Sequence, residues 1–161
     1  MASFTIRRAS AADAEAIGEC HREAIRKRAA GFYSEEIIAD WARIPDEIER
    51  SRRRGEIANR DWIYLVAEAD GEIIGFGIVI PSANELRALY SRPNPHGGVG
   101  SSILAALFDL CRQQGCAWLE MSSSLNAEKF YLDHGFRALS KSHHVSNSGV
   151  HYDCVKMRID L

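Results

Sequence analysis

This 161-residue chain predicts one α/β domain, residues 1–161, with strand hairpins before and after a set of helix-crossed strands. Three observations carry that expectation. Asp70-Gly71, a two-residue hairpin turn, separates two apolar runs. Residues 85–114 read as a strand, a glycine-rich turn and an amphipathic helix in succession. Ser146-Asn-Ser-Gly149 then divides two closing strand-like runs.

Taken in order, Phe4 and Ile6 alternate with polar neighbours and predict a strand over residues 3–8. Ser10-Ala-Ala-Asp13 has the form of a capping box opening a helix through about residue 30. Ser34 caps a second helix over residues 35–41, and Pro45 begins a short third one near Ile48. Residues 62–68 and 72–80 are the strands joined by Asp70-Gly71; Gly75 and Gly77 inside the second predict a bend or a close backbone approach. Residues 85–90 form the next strand. Val99, Ile103, Leu104, Leu107, Leu110 and Cys111 lie at helical spacing, so a helix runs to about Gln114 and ends at Gly115. Residues 116–121 read as a central strand. The helix carrying Phe130 and Tyr131 stops at Gly135, with Phe136 placed for the apolar contact after the cap. Residues 136–145 and 150–159 close the chain as strands.

Composition narrows the function. With 46% hydrophobic and 26% charged residues and a formal net charge of −2, nothing draws the whole chain to nucleic acid or an anionic membrane. The basic run Arg50-Ser-Arg-Arg-Arg54 reads as a solvated helix end, with contact to an anionic ligand as the alternative. No apolar run approaches a membrane span, and the N-terminal residues lack the apolar core of a signal peptide, so a cytoplasmic location is expected. Cys20, Cys111, Cys116 and Cys154 form no Cys-x-x-Cys pair and are expected as buried free thiols. His143 and His144 point to opposite faces of a strand and share no carboxylate at ligand spacing with His151, so no metal is expected.

Chemistry concentrates in residues 85–136. Gly97, Gly98 and Gly100 precede a helix whose first backbone N–H groups and partial positive charge suit a phosphate, and no Cβ blocks the approach. Neither the dinucleotide pattern nor the P-loop ending is present. Tyr131 follows Ala127 by one helical turn, so the two face one cleft, and Asn126 stands where that helix begins. Transfer from a thioester to an amine requires a polarised carbonyl, a deprotonated amine and a proton for the departing thiolate. Backbone N–H groups of a strand suit the first need and a tyrosine hydroxyl the last. Read separately, the turn is equally compatible with a plain strand-to-helix connection, and Tyr131 with packing on Phe136.

Leu86-Arg-Ala-Leu-Tyr90, Gly98-Val99-Gly100 and Asn126-Ala127…Phe130-Tyr131…Gly135-Phe136 together resemble the GCN5-related N-acetyltransferase (GNAT) family, and the order of elements over the whole chain agrees. The resemblance implies a mixed, mostly antiparallel seven-stranded sheet with helices on both faces, opened by a splay between its central strands. It implies an acyltransferase in which acetyl-CoA, as co-substrate, gives its acetyl group directly to a primary amine. Backbone N–H groups of Gly98, Val99, Gly100 and Ser101, with Gly97 beside them, would hold the CoA pyrophosphate. The backbone at Leu89 and Tyr90 would meet the acetyl carbonyl and the pantetheine arm. Asn126 would bind pantetheine, and Tyr131 would act as general acid. In one place the chain departs from the family: where a basic or amide residue leads the turn, Pro95 stands, or His96 takes that role in a turn one residue shorter.

Glu85, at the start of the strand that passes the acetyl group, is the candidate general base; His21 and His134 are weaker ones. Tyr33, Trp41 and Tyr152 are candidates for lining the acceptor pocket, and the acceptor is expected to be a small-molecule or peptide amine. A homodimer is compatible with the sequence. A non-catalytic CoA-sensing or partner-binding domain on the same fold, and an enzyme using a longer acyl-CoA, are the alternatives.

Overall fold

The computed structural model describes residues 3–161. Asp70 and Gly71 both take positive φ (52° and 79°), the backbone of a tight hairpin turn, and join β2 (Ile63–Ala69) to β3 (Glu72–Ile80). Around this hairpin lie β1 (Thr5–Arg8), β4 (Glu85–Ser91), β5 (Trp118–Ser124), β6 (Arg137–Val145) and β7 (His151–Asp160). They form one seven-stranded sheet in the order β1-β2-β3-β4-β5-β7-β6. Every neighbouring pair is antiparallel except β4 and β5, which run parallel and share a single register pair, Glu85 with Glu120. Beyond that pair the two strands part, and the expected splay is present.

Five helices cover the sheet: α1 (Ala14–Arg28), α2 (Glu35–Trp41), α3 (Glu47–Ala58), α4 (Val99–Gln113) and α5 (Glu128–Asp133). On one face Ile103, Leu104 and Leu107 of α4 and Tyr131 of α5 pack with Val79, Leu86, Leu119 and Met157 of the strands. On the other, Ile17 and Cys20 of α1 meet Val66, Phe76 and Ile78, with Ile57 of α3 against them. Gly75 and Gly77 make the α4 contact close. A Cβ on Gly77 would sit 2.7 Å from Leu107 Cδ1, and one on Gly75 2.9 Å from Val99 Cγ1. All four cysteines are free and buried.

Two elements differ from the expectation. The third helix begins not at Pro45 but after Asp46, whose side chain accepts from the Glu49 N–H (2.9 Å) while Glu49 accepts from the Asp46 N–H (3.0 Å). This capping box carries twelve residues of helix. The basic run Arg50–Arg54 therefore lies within a helix and not at its end. The central strand starts at Trp118 because a Schellman motif ends α4: the Gly115 N–H bonds the Arg112 carbonyl and the Cys116 N–H bonds the Cys111 carbonyl, both at 3.0 Å.

Candidate active site

The same motif sets the second half of the site. At the end of α5 the Gly135 N–H bonds Leu132 O (3.2 Å) and the Phe136 N–H bonds Tyr131 O (3.0 Å). Gly135 takes φ 95°, and the Phe136 ring meets the Tyr131 ring edge-on at 5.2 Å. Tyr131 is thereby held by backbone and side chain at once. Its phenol, 3% exposed, lines a cavity of about 410 Å³ with Leu89, Gly100, Asn126, Ala127 and Phe130. Burial, with Tyr90 nearby, pushes the Tyr131 hydroxyl far above the usual phenol range, so it stays protonated at any working pH.

The hydrogen-bond phase of β4 decides which backbone groups reach this cavity. Arg92 N–H donates to Ile74 O (3.0 Å), which sets the alternation along the β3–β4 ladder, where Tyr90 pairs with Phe76 and Leu89 with Gly77. Tyr90 thus turns its N–H and C=O to β3, while those of Leu89 and Ser91 face the splay. Arg28 Nε donates to Ser91 O (2.6 Å), in keeping with this phase. The pairing corrects the expectation for Tyr90: its backbone is engaged in the sheet, and only its ring serves the cavity, stacked on Phe76 at 5.5 Å.

At the start of α4 the first helical bond runs from the Ser102 N–H to Gly98 O (2.9 Å), which leaves the N–H groups of Val99, Gly100 and Ser101 without intrahelical partners. Gly98 takes φ 77°, a left-handed conformation that favours glycine. Gly97 and Gly98 have open space where a Cβ would sit. The His96 N–H donates to Asn94 Oδ1 (2.8 Å), and its ring lies edge-on to Phe4 at 6.2 Å. Ser101 Oγ and His134 Nε2 are 2.8 Å apart, which joins this turn to α5. Asn126 Oδ1 is buried with no hydrogen-bond partner among the described residues. An orphaned acceptor on a cavity wall calls for a ligand N–H. A slender ligand with amide N–H groups, a phosphate at one end and a carbonyl near Leu89 fits these features.

Glu85 is not brought to this cavity. It stands where β4 and β5 are still paired, and its carboxylate accepts from Arg87 at 3.1 Å. A register shift in the β3–β4 ladder separates that stretch from Ala88–Ser91. A second cavity, of about 280 Å³, adjoins the first at Trp41, which lines both. Trp41 and Tyr152 stack there at 5.4 Å, and His21 lies edge-on to Tyr90 at 4.5 Å. Burial, aided by Arg53 and Arg22, pushes the His21 imidazole down to about 3, so it is neutral at working pH. Tyr33 serves as a clamp: its hydroxyl donates to Asp153 O (2.5 Å) and accepts from the Leu125 N–H (2.9 Å) next to Asn126. His143 stacks on His151, and His144 lies tilted against Tyr152 at 5.0 Å, on opposite faces of their strands.

Residues 29–161 match the model of the acetyltransferase (GNAT) domain family. A spermidine N(1)-acetyltransferase of Thermoplasma acidophilum is 31% identical over 148 residues, covering 84% of this chain and 89% of that one. The crystal structure of the PaiA N-acetyltransferase of Thermoplasma acidophilum in complex with coenzyme A superposes with a TM-score of 0.78 at 27% identity, over 99% of each chain. The fold is also that of a GCN5-related N-acetyltransferase from Rhodopseudomonas palustris, with a TM-score of 0.89 at 24% identity over 100% of this chain and 98% of that one.

Proposed function

The chain belongs to the GNAT acetyltransferase family and is an N-acetyltransferase that uses acetyl-CoA, and from that premise we propose that it acetylates a small primary amine directly, with Tyr131 as general acid. The observation that carries this reading is the convergence of the Leu89 backbone, the orphaned Asn126 Oδ1 and the Tyr131 phenol on one cavity at the mouth of the β4–β5 splay.

Roles follow from position. The N–H groups of Val99, Gly100 and Ser101 seat the pyrophosphate, with Gly97 and Gly98 admitting it; His96 borders that seat. Asn126 Oδ1 accepts from a pantetheine amide. The bound thioester supplies the acyl group. The Leu89 N–H holds the charge that grows on its carbonyl oxygen as the amine nitrogen forms the new C–N bond. When the C–S bond breaks, the Tyr131 hydroxyl gives its proton to sulfur, and the second proton lost by the amine nitrogen returns to the phenolate through solvent. Asp40, the carboxylate next to Trp41 and half-buried on the adjoining cavity, is the group we assign to hold the incoming ammonium and take its proton.

The similarity to a spermidine acetyltransferase supports a second reading, a polyamine acceptor. Thiol release from acetyl-CoA over a panel of amines tests the proposal. Amine-dependent release that is lost in Tyr131→Phe is the expected result. Acetyl-CoA binding without release to any amine would favour a CoA-sensing domain. Among the described residues no helix is long and apolar enough to cross a membrane.

A further inference from the structure

The second cavity carries a charge pattern that the transfer chemistry does not use. Six arginines line it against four carboxylates, and the arginines divide into two sets. Arg43 is paired with Glu49, Arg50 and Arg54 with Glu47, and Arg52 with Glu56. Arg22 of α1 and Arg53 of α3 form no ion pair or side-chain hydrogen bond among the described residues, although both are half-buried. Their terminal nitrogens converge over one residue that has no side chain. A Cβ on Gly18 would lie 2.9 Å from Arg53 Nη1 and 3.4 Å from Arg22 Nη1.

Two guanidiniums brought together without an ion-pair partner repel each other and lose hydration, an arrangement that an anion between them would relieve. Guanidinium forks match carboxylate and phosphonate oxygens in geometry as well as charge. The field of the pair reaches the reaction side, since both arginines depress His21, whose ring packs on Tyr90. In the same cavity the Asp40 carboxylate is free of any ion pair among the described residues and stands beside Trp41, where the two cavities meet. The cavity thus offers one place that suits an anion and another that suits an ammonium.

We propose that the acceptor is an amine bearing an anionic group, a carboxylate or phosphonate, held by Arg22 and Arg53 over Gly18 while its amino group passes Asp40 and Trp41 to the thioester. The inference rests on the acetyl-transfer reading and narrows its acceptor to a zwitterionic amine, against a polycation. An all-cationic chain would have to enter past two uncompensated guanidiniums.

The test uses the full chain loaded with CoA and follows binding by calorimetry for 3-aminopropylphosphonate, β-alanine, propylamine and spermidine. Thiol release from acetyl-CoA is measured with the same four amines. The two anionic amines are expected to bind and react at least about tenfold better than propylamine, a gain of the size of charge-assisted hydrogen bonds. Arg53→Gln and Arg22→Gln should each remove most of that preference, mainly through KM, with the acetyl-CoA-induced thermal shift retained as evidence that the fold and cofactor seat are intact. Equal or tighter binding of propylamine or spermidine, or a preference for the anionic amines that survives both substitutions, would overturn the anion site. Phosphonate binding without thiol release would keep the site and count against the transfer reading, so the two failures are distinguishable.

Discussion

Ser101, in the first turn of α4, and His134, at the end of α5, meet at 2.8 Å between Oγ and Nε2. His134 Nδ1 lies 2.7 Å from Phe130 O, a carbonyl that can only accept, so Nδ1 carries a proton and the ring is fixed between that carbonyl and the Ser101 hydroxyl. The bond ties the glycine turn before α4 to the helix that carries Tyr131. Ser101→Ala should lower stability by about 1 kcal/mol, the usual net worth of such a bond. It should also raise the KM for acetyl-CoA more than it lowers kcat. Urea unfolding and steady-state kinetics on the same preparation check both, and an unchanged KM would show that the two halves are positioned independently.

Tyr131→Phe keeps the ring contact with Phe136 and removes only the hydroxyl. Turnover should fall by about tenfold or more, the scale of general-acid contributions. The acetyl-CoA-induced rise in melting temperature should persist. Undiminished kcat would remove Tyr131 from the chemistry.

Gly97 offers a clean test of the phosphate seat, because a side chain there meets nothing within 4 Å and its φ is ordinary. Gly97→Asp places a negative charge at the N-terminus of α4, which favours the helix by about 0.3–1 kcal/mol while opposing a pyrophosphate. The unliganded protein should therefore melt no lower than the parent, and the shift with acetyl-CoA should shrink. An undiminished shift would move the pyrophosphate away from this turn.

His21 gives a pH dependence with a definite sign. Its folded value, about 3, lies below the ordinary 6.5, so below pH 6.5 the unfolded chain binds the proton that the folded chain refuses. The stability tied to this group is complete above 6.5 and falls as the pH drops towards 3, by at most about 1.4 kcal/mol per pH unit. Asp13, held down to about 2 by its hydrogen bonds with Arg7, adds its own acid loss at lower pH. The measurement is thus a difference: urea unfolding of the parent and His21→Asn between pH 7 and 4.5, where the parent should show the steeper fall. Parallel curves would mean that His21 takes up its proton as readily in the folded chain as in the unfolded one.

Much of the site was legible because it rests on local rules. Gly135 and Phe136 announce a Schellman motif, and that motif holds Tyr131. The glycines before Val99 announce an open helix N-terminus. The Asp46-x-x-Glu49 capping box is equally local, and its two reciprocal bonds, not Pro45, set the start of α3. The choice between Leu89 and Tyr90 was not local, since it depends on which bonds of β4 are taken by β3. Glu85, expected at the site from its place at the start of β4, lies in the stretch still paired with β5 and does not line the cavity.

By itself, then, the sequence determined the order and type of the elements, most of their caps, the hairpin turns and the residue types at the proposed cofactor seat, because these follow from backbone conformations and periodicities within a few residues. Tertiary structure alone decided that Trp41 joins two cavities, that the Leu89 backbone faces the splay, and that Arg22 and Arg53, from different helices, meet over Gly18. Charges 31 positions apart acquire a common field only when packing has brought α1 and α3 together, and no local pattern encodes that distance.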